Sequence, residues 1–227
     1  MQNFQNPLAD RMRPKTLNEF VGQKHLLGKG KILNYLLSSG KIPSMIFWGP
    51  PGCGKTTLAH LIAQKIDIEF IYLSAVSQGT IEIKKIIEDI KRTKKRVLLF
   101  VDEIHRYNKL QQNIFLPHVE NGSIILIGAT TENPSFEIIS PLLSRCRVLV
   151  LERLTHEDLA AIVGMALKNK EFGLGKRKIK IKEKDLVFLI DAANGDARNI
   201  LNALEIAASF HRENSFTIST NDLVQAL

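Results

Sequence analysis

A chain of 227 residues with 44% hydrophobic and 24% charged side chains has ordinary globular composition and length enough for one large domain, or a medium domain with a small companion. Formal net charge is +8, and the surplus lies mostly in residues 1–152, where 20 basic side chains meet 13 acidic ones, so polyanionic partners are favoured. No apolar run is long enough to span a bilayer, the start MQNFQNPLAD lacks a signal-peptide core, and Cys53 and Cys146 sit in unlike contexts, which argues against a membrane partner, a disulfide framework or a zinc site and points to the cytoplasm.

In chain order, the first expected element is a short amphipathic helix over Lys31–Leu37, ended by Ser-Ser-Gly. Met45–Trp48 reads as a buried strand, followed by a glycine-rich loop and a helix from Lys55 to Ile66. Phe70–Leu73 is the second strand, and Ile81, Ile83, Ile86, Ile87 and Ile90 mark the helix after it. Val97–Val101 is the third strand, NKLQQNIFLPHVEN its following helix, and Ile124–Ile127 and Val148–Leu151 the fourth and fifth strands. Unbroken apolar strands mean burial on both faces, and helical crossovers mean a parallel sheet.

From Arg153 the strand signal fades. THEDLAAIVGMAL opens with Thr155 and Asp158 in a capping-box spacing, and EKDLVFLIDAA and GDARNILNALEIAASF read as two further helices. The fold class is therefore α/β: a three-layer parallel-sheet domain over residues 1–152, then a small all-α domain over 153–227, joined near 152–154. Two basic clusters stand out, Lys91, Arg92, Lys94, Lys95 and Arg96, and then Lys176, Arg177, Lys178, Lys180, Lys182 and Lys184. Each reads equally well as a solvated face or as a nucleic-acid contact.

The stretch FWGPPGCGKTTLAH carries the chemistry. Gly49, Pro50, Pro51, Gly52, Cys53, Gly54, Lys55 and Thr56 fit G-x-x-x-x-G-K-[ST] in full, between a strand and a helix, which is the context that gives the pattern its meaning. Glycines let backbone N–H groups turn toward phosphate oxygens, and the helix N-terminus adds its dipole there. Lys55 supplies a mobile charge for the β- and γ-phosphates of ATP, the Thr56 hydroxyl is a ligand for Mg²⁺, and Thr57 completes the set. Cys53 reads as a small space-filling residue.

Fifty residues on, VLLFVDEIHR is a buried strand ending in two acids. Asp102 suits the magnesium hydration shell, and Glu103 stands where a carboxylate polarises water aimed at the γ-phosphate. An acidic pair at a strand end is otherwise a helix cap. Following the phosphate loop, it favours hydrolysis over transfer to a second substrate. His105 reads as local structure, though near enough to report on DNA or nucleotide, and Trp48 as core.

The segments NPLADRMRPKTLNEFVGQKHLLG, FVDEIHRYNKLQQNIFLPHVENG, IGATTENPSFEIISPLLSRCRV and NGDARNILNALE, together with the loop, resemble AAA+ ATPases of the clamp-loader clade. More closely, they resemble the replication-associated recombination family (RarA/MgsA), whose eukaryotic counterpart is a Werner-helicase-interacting ATPase. Members of that family are longer, so the chain looks like an ATPase core and lid without the oligomerisation region. The resemblance implies that Arg145, in SRC, is an arginine finger for the γ-phosphate of a neighbouring subunit, and that Arg198, in GDAR, is a sensor acting in cis. Thr130 is the implied first sensor, with Thr131 second choice. Val21 and Gly22, with the Leu8–Pro14 stretch, are implied adenine contacts, although Val21 reads equally well as core. Ser74 is the candidate to hold Glu103 inactive.

The expected function is ATP hydrolysis, stimulated by DNA and requiring a homo-oligomer, at stalled forks, ends, gaps or single-strand/double-strand junctions in replication-coupled recombination and repair, associated with the nucleoid. Single-strand-binding protein and replisome components are the partners that the resemblance implies. Two other classes compete. A small-molecule kinase would need an acceptor pocket and an arginine-bearing lid, which the sequence does not offer. A clamp-loader-like binding subunit, holding nucleotide with little turnover, is the stronger alternative.

Overall fold

A computed structural model describes residues 6–93 and 95–227; the polar start through Gln5, and Lys94 of the first basic cluster, lie outside the described residues. The chain forms two compact units. One comprises Gln23–Pro50 and Gly54–Glu152; the other comprises the segment ending at Gly22, Pro51–Cys53 and Arg153–Leu227.

The first unit is built on five strands, β1 (Met45–Trp48), β2 (Glu69–Ser74), β3 (Val97–Asp102), β4 (Ile124–Thr130) and β5 (Arg147–Val150). All pairs are parallel, in the order β2-β3-β4-β1-β5. The apolar runs that suggested double-sided burial have it: every residue of β4 and the first five of β3 are buried. On one face lies the helix Lys55–Lys65, with Leu58, Leu61 and Ile62 shielded from solvent. On the other, Ile83, Ile87 and Ile90 of the helix Thr80–Thr93 recur at helical spacing and pack with Val97, Leu99, Val101, Ile124, Leu126 and Phe115. Each such side chain contributes about 1.5–3 kcal/mol by leaving water, and Leu99→Ala would cost about 2–5 kcal/mol.

The single helix expected over NKLQQNIFLPHVEN is two. Lys109–Asn113 starts from an Asn108–Gln111 capping box, and Leu116–Glu120 follows with Pro117 in its first turn. Proline has no N–H to bond the preceding turn, so it restarts a helix more readily than it continues one.

Register decides where the loops meet. Trp48 of β1 is level with Thr130 of β4 and Val150 of β5, and Ser74 is level with Asp102. Residues leaving β1, β3 and β4 therefore share the carboxyl edge of the sheet, where open parallel sheets place their ligands.

The second unit is mainly helical. His156–Lys168, Glu183–Ala193, Ala197–Ser209 and Thr220–Ala226 surround a core containing Leu159, Val163, Leu189, Ile200, Leu204 and Leu223. Leu8 is fully buried in the same core, and Arg11 and the Leu8 backbone N–H both bond the Glu205 carboxylate. The N-terminal segment thus packs with the helices rather than, as chain order suggested, with the sheet. Two short strands, β6 (Lys178–Ile181) and β7 (Ser215–Ile218), also pair in parallel here. Their Ile179, Ile181 and Phe216 side chains meet the helical core, while Lys178, Lys180, Ser215 and Thr217 are exposed.

Candidate active site

The phosphate loop begins where β1 ends. Gly49 donates its N–H to the Thr130 carbonyl at 3.1 Å, and a Cβ at Gly49 would come within 2.3 Å of the Leu151 carbonyl oxygen, so only glycine fits. At the other end Gly54 has φ +99°, a left-handed conformation that glycine adopts at little cost. It precedes the helix Lys55–Lys65 and leaves that helix without a side-chain cap. The N-cap of this 11-residue helix therefore offers its first-turn N–H groups no hydroxyl or carboxylate of its own. Lys55 is 7% exposed and donates from Nζ to the Gly49 and Pro50 carbonyls at 2.7 and 2.9 Å. Thr56 and Thr57 follow in the first turn, both half-buried.

At the end of β3, Asp102 accepts a hydrogen bond from the Tyr72 hydroxyl at 3.1 Å, and the Tyr72 ring stacks on Phe100. Glu103 follows in a left-handed conformation, φ +52°, unusual for a residue with a side chain. That turn redirects the chain, and the Glu103 carboxylate approaches His105 Nε2 at 3.4 Å. His105 Nδ1 lies 2.9 Å from the hydroxyl of Thr130, which is fully buried at the end of β4. Thr131 lies beyond the strand. Ser74 is level with Asp102, and its N–H is bonded by the Gln78 side chain at 2.7 Å.

Arg145 sits elsewhere. It precedes β5 by two residues, and Arg147 is level with Met45, the first residue of β1. Arg145 thus belongs to the amino edge of the sheet, opposite the edge that carries Gly49, Asp102 and Thr130. It is exposed and bonds Glu120 at 2.6 Å and the Pro141 carbonyl at 2.8 Å.

In the helical unit, Asp196 caps the helix Ala197–Ser209 by accepting from the Arg198 and Asn199 N–H groups at 2.7 and 3.2 Å. The Arg198 side chain is exposed, and among the described residues its guanidinium makes no ion pair. Pro51–Cys53 group with this unit, where the Gly52 carbonyl accepts from the Ala197 N–H at 3.3 Å. Val21 and Gly22 do likewise; Val21 is half-buried, and Gly22, at φ +87°, has no room for a Cβ beside Leu154. Gln23 closes the sheet unit instead, exchanging two hydrogen bonds with the Glu152 backbone at 2.7 and 3.0 Å.

The basic clusters separate by use. Arg177 is consumed by the fold: it donates to the Ala208, His211 and Glu213 carbonyls and covers the Phe216 ring. Lys178, Lys180 and Lys182 alternate outward and are exposed.

The donors at the carboxyl edge suit magnesium: one carboxylate, Asp102, and one hydroxyl, Thr56, both hard oxygens. No group of three or more His, Cys, Asp or Glu among the described residues could hold a metal by itself. Cys146 is no nucleophile, since burial pushes its thiol up to about 12.

Residues 45–154 match the ATPase family associated with various cellular activities (AAA). The chain is 52% identical over 217 residues to the replication-associated recombination protein A of Coxiella burnetii, covering 95% of this chain and 49% of that one. It is 46% identical over 210 residues to the ATPase WRNIP1 of Dictyostelium discoideum, covering 91% of this chain and 24% of the relative. The chain spans about half the length of the bacterial relatives it matches. The Holliday junction branch migration motor RuvB of Thermotoga maritima superposes with a TM-score of 0.74 at 25% identity, over 95% of this chain and 72% of that one. No helix among the described residues is long and apolar enough to cross a membrane.

Proposed function

Through residues 45–154 this chain belongs to the AAA family of ATPases, and on that premise we propose that it hydrolyses ATP as part of a DNA-associated oligomer acting at stalled forks, ends or gaps in replication-coupled recombination. The observation that carries the reading is the division of the sheet. Its carboxyl edge bears the phosphate loop, Asp102, Glu103 and Thr130, and its amino edge bears Arg145. A residue on the far edge from its own phosphate loop is suited to act on a neighbour.

In this mechanism the loop N–H groups and the helix N-terminus hold the phosphates, and Lys55 exchanges its Gly49 and Pro50 carbonyls for phosphate oxygens. Thr56 and Asp102 would hold magnesium, which neutralises charge on the β- and γ-phosphates when bound. Glu103 accepts a proton from the attacking water. Thr130 orients that water or the γ-phosphate. A neighbour's Arg145 meets the charge that grows on the equatorial oxygens, an effect worth about 10³–10⁵ in rate in related phosphoryl transfers. The role of Arg198 rests on its motif, and so do the adenine contacts of Val21 and Gly22.

The DNA part rests on the family relatives and on the exposed lysines. Its test is ATPase rate and binding of the full-length protein across a salt series, with blunt ends, gaps and forks. Rates that rise with DNA are expected; indifference to every DNA at every salt would remove DNA from the proposal and leave the hydrolase. The second reading, a binding subunit with little turnover, is favoured by the Arg145–Glu120 pair, which occupies the finger within its own chain.

A further inference from the structure

His105 joins two parts of the site that the sequence treats separately. Its ring is mostly buried, with 11% of the side chain exposed, and each ring nitrogen faces a polar group: Nδ1 faces Thr130 Oγ1 at 2.9 Å, and Nε2 faces Glu103 Oε2 at 3.4 Å. The directions of these bonds follow from counting protons. Thr130 Oγ1 already accepts the Glu132 N–H at 3.0 Å. Its one proton has two claimants, the Glu132 carbonyl at 3.4 Å and His105 Nδ1 at 2.9 Å. The Glu103 carboxylate can only accept, which requires the ring proton on Nε2, and the neutral ring then takes the Thr130 proton at Nδ1. A neutral imidazole that accepts at Nδ1 carries its proton on Nε2, and that proton faces the Glu103 carboxylate. The chain then runs one way, from Glu132 N–H through Thr130 and His105 to Glu103, each bond polarising the next.

We propose that His105 is a positioning residue, which holds the Glu103 carboxylate in its water-activating orientation and links that orientation to the hydroxyl of Thr130. It rests on the reading of Glu103 as the base for water. By fixing Oε2, His105 leaves Oε1 to accept the proton from water. The left-handed backbone at Glu103 aims the side chain at this partner, and tertiary contacts hold such conformations in place. The Nε2–Oε2 distance exceeds an ordinary hydrogen bond and shortens when the site fills, as catalytic hydrogen bonds commonly do. The same geometry makes Thr130 a reporter. Its single proton serves either His105 or a phosphate oxygen, so phosphate capture at β4 changes what Nδ1 receives and hence how Glu103 is held.

The experiment measures steady-state ATP hydrolysis and nucleotide affinity for the full-length protein carrying His105→Ala, His105→Gln, Glu103→Gln, or Glu103→Gln with His105→Ala. His105→Ala is expected to lower kcat about 10–100-fold, a share of the 10²–10⁴ that a positioned base supplies, with KM and nucleotide affinity within about twofold of wild type. His105→Gln, whose amide N–H reaches toward Glu103, is expected to recover part of kcat and, by thermal melting, to keep the wild-type fold. In the Glu103→Gln background, removal of His105 is expected to change nothing further. An unchanged kcat in His105→Ala would overturn the proposal. So would an equal extra loss in the double variant, or a loss confined to nucleotide affinity. Wild-type turnover in Glu103→Gln would instead remove the underlying reading of Glu103, which separates the two failures.

Discussion

Arg145 and Glu120 form an ion pair, 2.6 Å between guanidinium and carboxylate, at the edge of the sheet farthest from the phosphate loop of the same chain. Both side chains are substantially exposed, so the pair contributes at most about 0.2–1 kcal/mol to stability. A finger that must reach a neighbouring subunit has to leave this partner first. Glu120→Gln should therefore raise turnover of the assembled oligomer by up to about fivefold, the rate equivalent of that energy, with little change in melting temperature. Arg145→Ala should abolish most turnover while nucleotide affinity stays near wild type. Turnover and affinity measured side by side check both. A large affinity loss in Arg145→Ala would mean that the residue acts within its own chain.

Lys55 is the second case, because its ammonium is buried and donates to the Gly49 and Pro50 carbonyls of the loop. Charge-assisted hydrogen bonds contribute about 1.5–3 kcal/mol each. Lys55→Ala should weaken ATP binding about tenfold to a hundredfold, as read by calorimetry or a fluorescent nucleotide. Because the desolvation cost of the buried ammonium offsets the two loop hydrogen bonds that the substitution removes, the unfolding transition should move little. ATP affinity equal to wild type would show that the loop holds no triphosphate.

The parts legible in sequence are those whose chemistry is local. Continuous apolar runs gave the five strands within a few residues, because double-sided burial leaves no room for alternation at β3 and β4. The loop from Gly49 to Thr56 could be read because its backbone geometry excludes other residues. The β6–β7 pair could not: KIKI alternates over only four residues inside a lysine-rich stretch and reads as a charge run. The helix Thr220–Ala226 is short, and its Ser219–Asp222 capping box was the available sign. Leu8 reads with the adenine-binding stretch, and its place in the helical core is hidden because its partners lie some 200 positions away, as the bond from its N–H to Glu205 shows. The partner of His105 is hidden in the sequence for a related reason. Its meaning depends on Thr130, 25 residues on and one strand over.

Exposed alternate lysines on β6 give the nucleic-acid reading a quantity. Lys178 and Lys180 lie level with Ser215 and Thr217 across the pair, and Lys182 continues the row. Successive lysines on one strand face are separated by about 6.6 Å, close to the rise of two phosphates along one strand of duplex DNA. If all three touch phosphate, replacing them with alanine should reduce the log–log salt slope for duplex binding by about 2.7. The comparison is a variant with the same net charge change at Lys84, Lys85 and Lys91, exposed on the helix Thr80–Thr93. Equal slopes for the two variants would mean that only total charge matters, and that this face has no special part.

His118 ties stability to pH. It is 6% exposed, beside the Ser123 hydroxyl, and burial, with the positive charge of Lys91 adding to it, holds its pKa below the ordinary value of 6.5. The folded chain therefore resists a proton that the unfolded chain accepts more readily. Stability from this residue is complete above the unfolded pKa and declines as pH falls through that value toward the folded one. Urea unfolding at a series of pH values from 8 to 5 should show wild-type stability falling on the acid side. His118→Gln removes the titrating group and should flatten that part of the curve, whatever it does to stability at pH 8. If the two curves stay parallel throughout, the proton is taken up elsewhere and His118 is not the group responsible.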